Sequence, residues 1–400
     1  MIPFSPPRVD EVTIAAVTEA LRSGWITTGP RTKRLENELA LYLGVGRVAC
    51  FGSWTGAAEL VLRWFGIGPG DEVIVPAYTY AASANIIAHT GATIVFADSL
   101  AGSFNVDPED IARKITSRTK AVIPVDLGGF PADYQRIMQV LATAPFSPSN
   151  PIQEELGRPL LFADAAHSFG SRVDGKHSCH SADISGYSFH AVKNLTTAEG
   201  GALAFNLPTK FNLDEVYNWF MRMSLHGQSK DALAKTAGGS WKYDILDHGF
   251  KCNMTDLQAA IGLVELGRYE NDMLVKRDHL CKLYDRMLGA YDWAILPTRR
   301  DERRSSSNHL YMVRIDRITE EHRDSIIAQM LKMEVHVNVH FMPLPTLTAF
   351  SRLGFSPLQV PNAMAAYTNE ISLPLYYDLS DQQVEEVVQK LAISVKAVVS

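Results

Sequence analysis

Three groups of residues in this 400-residue chain have types and spacing that could do chemistry together. Lys193 stands in "SFHAVKNLTTAEGG" (188–201), one amine among small, hydroxylic and glycine neighbours. Asp164 closes the apolar run of "PLLFADAAHSFG" (159–170), where a carboxylate without a partner would be costly to bury. Ser53 and Thr55, in "GSWTGAAELVL" (52–62), precede a helical pattern, so hydroxyls and free N–H groups at a helix start could hold a dianionic phosphate. Each group alone has an ordinary explanation: a solvated loop lysine, an aspartate with a structural partner, a helix N-cap. Taken together they are an amine, a carboxylate able to keep a heterocyclic nitrogen protonated, and a phosphate cup. Those are the three groups that pyridoxal phosphate requires. His167, just beyond Asp164, would lie near the same ligand or be a satisfied histidine.

Other chemistries fit less well. No GxGxxG follows any strand-like run. "GSRVDGKH" (170–177) has Gly170, Gly175 and Lys176 of a P-loop, but His177 replaces the Ser/Thr and Asp174 would sit in the anion cradle, so it reads as a turn. Among the 12 histidines, "HSCH" (177–180) and "HVNVH" (336–340) could each bring two ligands to one side, but neither has a second pair at a zinc spacing. No metal site is expected.

The elements that must position these groups are legible as apolar runs. "RVACFGS", "DEVIVPA", "ATIVFAD", "KAVIPVDL", "PLLFADAA", "ISGYSFH" and "GALAFN" are short and largely without alternation, as strands buried on both faces are. Helical patterns such as "GAAELVLRWFGI" and "PEDIARKIT" lie between them, which predicts an α/β fold with a mostly parallel, mixed sheet flanked by helices. Ligands in such sheets bind where strands end, and Asp164 is at such an end. "PFSPSNPIQEELGRP" (145–159) reads as a surface excursion. From "CNMTDLQAAIGLVELGRYENDMLVKRDHLCKLYDRML" onward, one long helical pattern or two leads into "HLYMVRID", "TEEHRDSIIAQMLKM", "VHVNVHFM", "ISLPLYY" and "DQQVEEVVQKLAISVKAVV". Strand, helix, strand, strand, helix predicts a smaller C-terminal α+β domain. The expected division is 13–250 for the large domain and 251–400 for the linking helix and small domain, with residues 1–12 packing on the latter.

A net charge of -6 offers no global field for nucleic acid or anionic membrane. Apolar stretches such as "EVIVPAYTYAASANIIA" are broken by Pro, Asn and Ser, and "MIPFSPPRVDEVT" lacks the pattern of a secretory signal. Cys50, Cys179, Cys252 and Cys281 form no CxxC pair, which fits free thiols in a reducing, cytoplasmic setting.

The ordered segments "LRSGWITTGP" (21–30), "GPGDEVIVPAYTY" (68–80), "NVDPEDIARKITSRTKAVIPV" (105–125), "DAAHSFGS" (164–171), "SFHAVKNLTTAEGGAL" (188–203), "HGFKCNMTDLQAAIGLVEL" (248–266) and "SLPLYYDLSDQQVEEVV" (372–388) resemble the DegT/StrS group of sugar aminotransferases, of the aspartate aminotransferase fold (fold type I). The resemblance implies pyridoxal phosphate as cofactor, Lys193 as its Schiff-base lysine and Asp164 as partner of the pyridine nitrogen. It also implies Ser188 and the Thr55–Gly56 backbone at the phosphate, Tyr80 stacked on the ring and His167 near the phenolic oxygen. Asn253, in "CNMTD", matches an asparagine that reaches the phosphate of a neighbouring subunit, which implies a homodimer with shared sites. Amino transfer from L-glutamate to a keto-sugar, most often nucleotide-linked, is the implied reaction, by a ping-pong course. Other branches aminate cyclitol ketones or keto-sugar phosphates, and a regulatory protein that binds the cofactor without turnover is a rival of another class. A branch that replaces the lysine by histidine dehydrates its sugar, and Lys193 argues against it. The chain departs from the family pattern at Pro345, where a histidine is common, and at Asp126, where many members have His.

Overall fold

The computed structural model describes residues 1–229 and 242–399. All seven apolar runs are strands of one sheet: β1 (Arg47–Phe51), β2 (Glu72–Pro76), β3 (Thr93–Ala97), β4 (Thr119–Val122), β5 (Leu160–Asp164) and, beyond a short hairpin of β6 (Arg172–Val173) and β7 (Lys176–His177), β8 (Ile184–Ser188) and β9 (Gly201–Phe205). Their order is β1-β9-β8-β5-β4-β2-β3. Pairing is parallel from β8 to β3, whereas β9 is antiparallel to both neighbours. Every residue of β2, β5 and β9 is buried, which accounts for the lack of polar alternation in the sequence. Because β1 runs with β8 and β5, all three end at one edge of the sheet.

The P-loop-like stretch is the turn expected of it. Asp174 and Gly175 adopt positive φ between β6 and β7, and Asp174 pairs with Arg303. Helices Trp54–Trp64 and Ala82–Thr90 follow β1 and β2 and pack on the sheet. Further on, Asp256–Arg268, a π-helical turn at Tyr269–Met273 and Leu274–Leu288 form one continuous helical run, opened by a capping box at Thr255 and Gln258. The second sheet takes β10 (Ala294–Ile295), β12 (Tyr311–Ile315) and β13 (Glu370–Leu373) in the order β10-β12-β13, while β11 (Arg304–Ser305) pairs with β6. Helices Glu320–Lys332 and Asp381–Val399 cover this sheet around Tyr311, Ile371, Leu373 and Val384. Leu344, Phe350, Val360 and Tyr367 from the same C-terminal half join the core under the large sheet.

Two expectations change. "VHVNVHFM" is not a strand: only isolated bridges form, Ile2 with Val335 and Asn338 with Ser372, and the chain then turns toward the end of the large sheet. The stretch 145–159 is not merely a surface excursion. Asn150 caps the helix Pro151–Leu156, and the fully buried Gln153 donates to the Phe65 carbonyl at 2.7 Å, which anchors the segment to the core. Among the described residues, no helix is long and apolar enough to cross a membrane.

Candidate active site

Strand ends set the floor of the site. Asp164, the last residue of β5, is buried, and its Oδ2 accepts from Ser83 Oγ at 2.7 Å while Oδ1 accepts from the Ala166 N–H at 3.2 Å. Ser83 is in turn within 3.0 Å of Thr79 Oγ1. Burial pushes the Asp164 carboxyl up to about 6, against the two donors and the nearby Lys193 cation. Behind it, the Asp126 N–H donates to the Asp164 carbonyl at 3.1 Å. The Asp126 carboxylate accepts from the Ala132 N–H, Tyr134 Oη and Ser168 Oγ, so it ties together the loops after β4 and β5 without lining the cavity.

The helix Trp54–Trp64 presents its N-terminus at the same edge. Ser53 caps it by accepting from the Gly56 N–H at 3.1 Å, and Trp54 Nε1 donates to the Gly186 carbonyl at 3.0 Å with its ring stacked near Phe162. The fit is tight: a Cβ on Gly201 would lie 2.5 Å from Trp54 N, and one on Gly186 would lie 2.7 Å from Trp54 Nε1. Two glycines in neighbouring strands thus let the helix end sit directly on the sheet.

Lys193 hangs from the turn after β8. The turn is closed by Phe189 N to Gly200 O, Thr197 N to Phe189 O and Thr196 Oγ1 to Phe189 O, and Ala198 takes the positive φ it requires. Asn194 then pins the far side, donating to the Ser307 carbonyl at 2.9 Å and accepting from His309 Nδ1 at 2.9 Å. Among the described residues, Nζ of Lys193 makes no hydrogen bond and feels Asp164 only through space. Burial lowers the amine to about 8, opposed by the Asp164 carboxylate, so it loses its proton far more readily than an ordinary lysine.

His167 is buried, and its Nδ1 accepts from the Gly128 N–H at 3.3 Å. A neutral imidazole that accepts at Nδ1 carries its proton on Nε2. Burial and the Lys193 cation hold this ring well below the usual histidine range, so it stays neutral. His309 stands against it, with ring centroids 4.4 Å apart.

These groups enclose a cavity of about 440 Å³ lined by Ser53, Thr55, Asp164, His167, Ser188 and Lys193, with Tyr80 and Phe341 at one wall. Tyr80 is 64% exposed, 5.8 Å from Phe341, which leaves its face open to a planar ligand. Gly56 contributes backbone to the helix start without lining the cavity. Asn253 lies outside it, beside the end of β1, with Nδ2 donating to Thr28 Oγ1 at 2.6 Å. Ser83, His309 and the N-terminal Phe4 and Ser5 also line the cavity or hold its residues, and sequence reasoning passed over all of them. Only Ser83 left a trace, as a polar residue in the apolar run after Tyr80. Pro345 is buried in the turn Leu344–Thr346, and His340 and Phe341 reach the cavity instead.

Pyridoxal phosphate fits this residue set: a hydroxyl-rich helix end, a buried carboxylate across from it, an unbonded amine and a neutral imidazole share one cavity. Among the described residues, no group of three or more potential metal ligands occurs. The family model for the DegT/DnrJ/EryC1/StrS aminotransferase family matches residues 7–392. The spore coat polysaccharide biosynthesis protein SpsC of Bacillus subtilis (strain 168) is 35% identical over 399 residues, 99% of this chain and 97% of that protein. Spr1654 of Streptococcus pneumoniae, assigned as a sugar aminotransferase, superposes in its PMP-form with a TM-score of 0.96 at 44% identity, covering 100% of both chains. PseC of Helicobacter pylori, an aminotransferase of pseudoaminic acid biosynthesis, superposes at 0.86 with 25% identity, covering 99% of both chains. With strand order, cavity chemistry and both kinds of similarity in agreement, the chain belongs to the DegT/DnrJ/EryC1/StrS family of pyridoxal-phosphate-dependent aminotransferases.

Proposed function

We propose that the protein transfers the amino group of L-glutamate to a nucleotide-linked keto-deoxy sugar, by a ping-pong course centred on Lys193. The observation that carries this reading is the unbonded Lys193 amine sharing one cavity with Asp164 and a hydroxyl-rich helix end. When bound, the cofactor supplies an electron sink that stabilises negative charge on the carbon bearing the amino group.

Each residue has a defined task in that setting. Ser53, Thr55, Ser188 and the free N–H groups opening the helix Trp54–Trp64 would hold the phosphate, aided by the helix dipole, and the Gly56 N–H would join them on leaving the Ser53 hydroxyl to which it now donates. Asp164 would keep the ring nitrogen protonated; a cation there relieves the cost of its buried charge. His167 offers Nε2–H as a donor to the phenolic oxygen, and Tyr80 covers one ring face. Lys193, once freed by the amino donor, takes a proton at Nζ and returns it, a task suited to an amine whose affinity is near the working pH. The ping-pong reading draws support from Spr1654, which occurs in both PMP-form and PLP-form.

Two subunits complete each site in this proposal. Asn253 does not line the cavity of its own chain, and Val9, Val12, Leu21, Ile26 and Leu41 are exposed apolar residues of the N-terminal segment, as expected of surface buried in a dimer. The test of the substrate class is a screen of UDP-, dTDP- and GDP-linked keto-sugars with glutamate, read as 2-oxoglutarate release. Turnover of at least one nucleotide-linked sugar is expected. Turnover of only free keto-sugar phosphates or cyclitol ketones would contradict it.

A further inference from the structure

A buried carboxyl with no task in the reaction above lies at the start of β13. Glu370 is fully buried; its Oε2 accepts the His340 backbone N–H at 3.0 Å, and its Oε1 accepts from Ser372 Oγ at 2.5 Å. Ser372, also fully buried, is 2.8 Å from His340 Nδ1. The bridge of Asn338 with Ser372 fixes the two segments relative to each other. The Phe4 ring stacks on His340 at 5.4 Å and 23°, and Phe341 meets it edge-on at 4.9 Å, so the imidazole is clamped in one plane while it lines the cavity.

We propose that Glu370, Ser372 and His340 form a proton relay from the interior of the small sheet to the cavity, with His340 as its cavity terminus and Glu370 as the group that stores the proton. A proton accepted at His340 Nε2 is matched by loss of the Nδ1 proton to Ser372 Oγ and of the serine hydroxyl proton to Glu370 Oε1. The reverse sequence delivers it. One proton enters or leaves, no electrons move and no other bond changes. When Glu370 is ionised, Ser372 donates to it and accepts from Nδ1–H, so Nε2 offers a lone pair to a hydroxyl or ammonium group in the cavity. When Glu370 is protonated, every bond reverses and Nε2–H becomes a donor.

The surroundings favour storage on the carboxyl. Burial pushes Glu370 up to about 8, opposed by the Ser372 hydroxyl, the His340 N–H and Arg323, and holds the His340 ring down to about 3, reinforced by the Lys193 cation. Arg323, on the helix Glu320–Lys332, is engaged by Tyr367, Glu320 and Asp324, and Arg314, opposite Glu370 on β12, donates to the Gly102 carbonyl. Tyr78 faces Glu370 from the loop after β2, and Lys193, His167 and His309 face His340 across the cavity.

The relay is tested by the imidazole itself, without substrate. In cofactor-loaded protein labelled with ¹⁵N-histidine, His340 signals are assigned by their loss in His340→Gln. The wild-type ring is expected to pass from the Nε2–H to the Nδ1–H tautomer as pH rises through about 8. In Glu370→Gln the amide carbonyl is required by the His340 backbone N–H, so the NH2 group faces Ser372 as a donor, which locks Nε2–H at every pH. Ser372→Ala, a milder change checked by thermal melting, is expected to abolish the coupled transition by disconnecting the ring. A wild-type tautomer that does not change between about pH 6 and 9.5 would overturn the relay, as would an unaltered transition in either variant. Neither result touches the assignment of Lys193.

Discussion

At the scale of residues, burial shifts Asp164 up and Lys193 down against their mutual attraction, and each makes a prediction. The folded Asp164 carboxyl titrates near 6, above its ordinary 3.8, so the unfolded chain releases that proton at lower pH. Stability of the cofactor-free protein therefore falls as pH rises from about 4 to about 6, and the full cost of the buried charge persists above that. Asp164→Asn is expected to stabilise the cofactor-free protein at pH 8 by roughly 1–3 kcal/mol in urea unfolding, while lowering turnover by orders of magnitude. A variant that is both as active and as stable as wild type would mean that the carboxylate is neither strained nor functional. For Lys193, reductive methylation of cofactor-free protein with formaldehyde and cyanoborohydride requires the neutral amine. Half-maximal labelling is expected at about pH 8, below the ordinary lysine value near 10.4. A midpoint with the surface lysines would show that the amine is fully solvated.

At the scale of elements, the helix Trp54–Trp64 is aimed by contacts that sequence spacing does not display. Gly201→Ala places a methyl 2.5 Å from Trp54 N, and backbone on both sides cannot yield cheaply. The variant is expected to melt several degrees lower and to lose cofactor faster on dialysis. Wild-type cofactor retention would argue that the helix end does not form the phosphate cup. The same elements show which parts of the fold were legible beforehand. Strands β2, β5 and β9 are buried on both faces, so their apolar runs were read directly, and the Lys193 turn was visible from its hydroxyls and glycines. "VHVNVHFM" has strand-like composition, yet it bends to bring His340 and Phe341 to the cavity because its partners are Ile2 and Ser372, far away in sequence. Ser83 and His309 were missed for the same reason: their importance lies in contacts with Asp164 and Asn194, which are created only by folding. Gln153 was hidden by a Pro- and Ser-rich context that normally marks exposed chain.

At the scale of the whole molecule, the proposed dimer makes a quantitative prediction. If Asn253 serves the site that holds the partner's Lys193, then Lys193→Ala and Asn253→Ala subunits should complement each other. Random mixing makes half the dimers mixed, each with one intact site of two, so activity should recover to about a quarter of wild type. No recovery above the separate variants would place each complete site within one chain. Central to every scale is the identity of the amine. Borohydride treatment of the cofactor-loaded enzyme, followed by peptide mapping, fixes the cofactor to whichever lysine carries it. The expected result is a single modified peptide containing Lys193, absent in Lys193→Ala; modification of another lysine, or of none, would contradict the assignment of this cavity as the site of amino transfer.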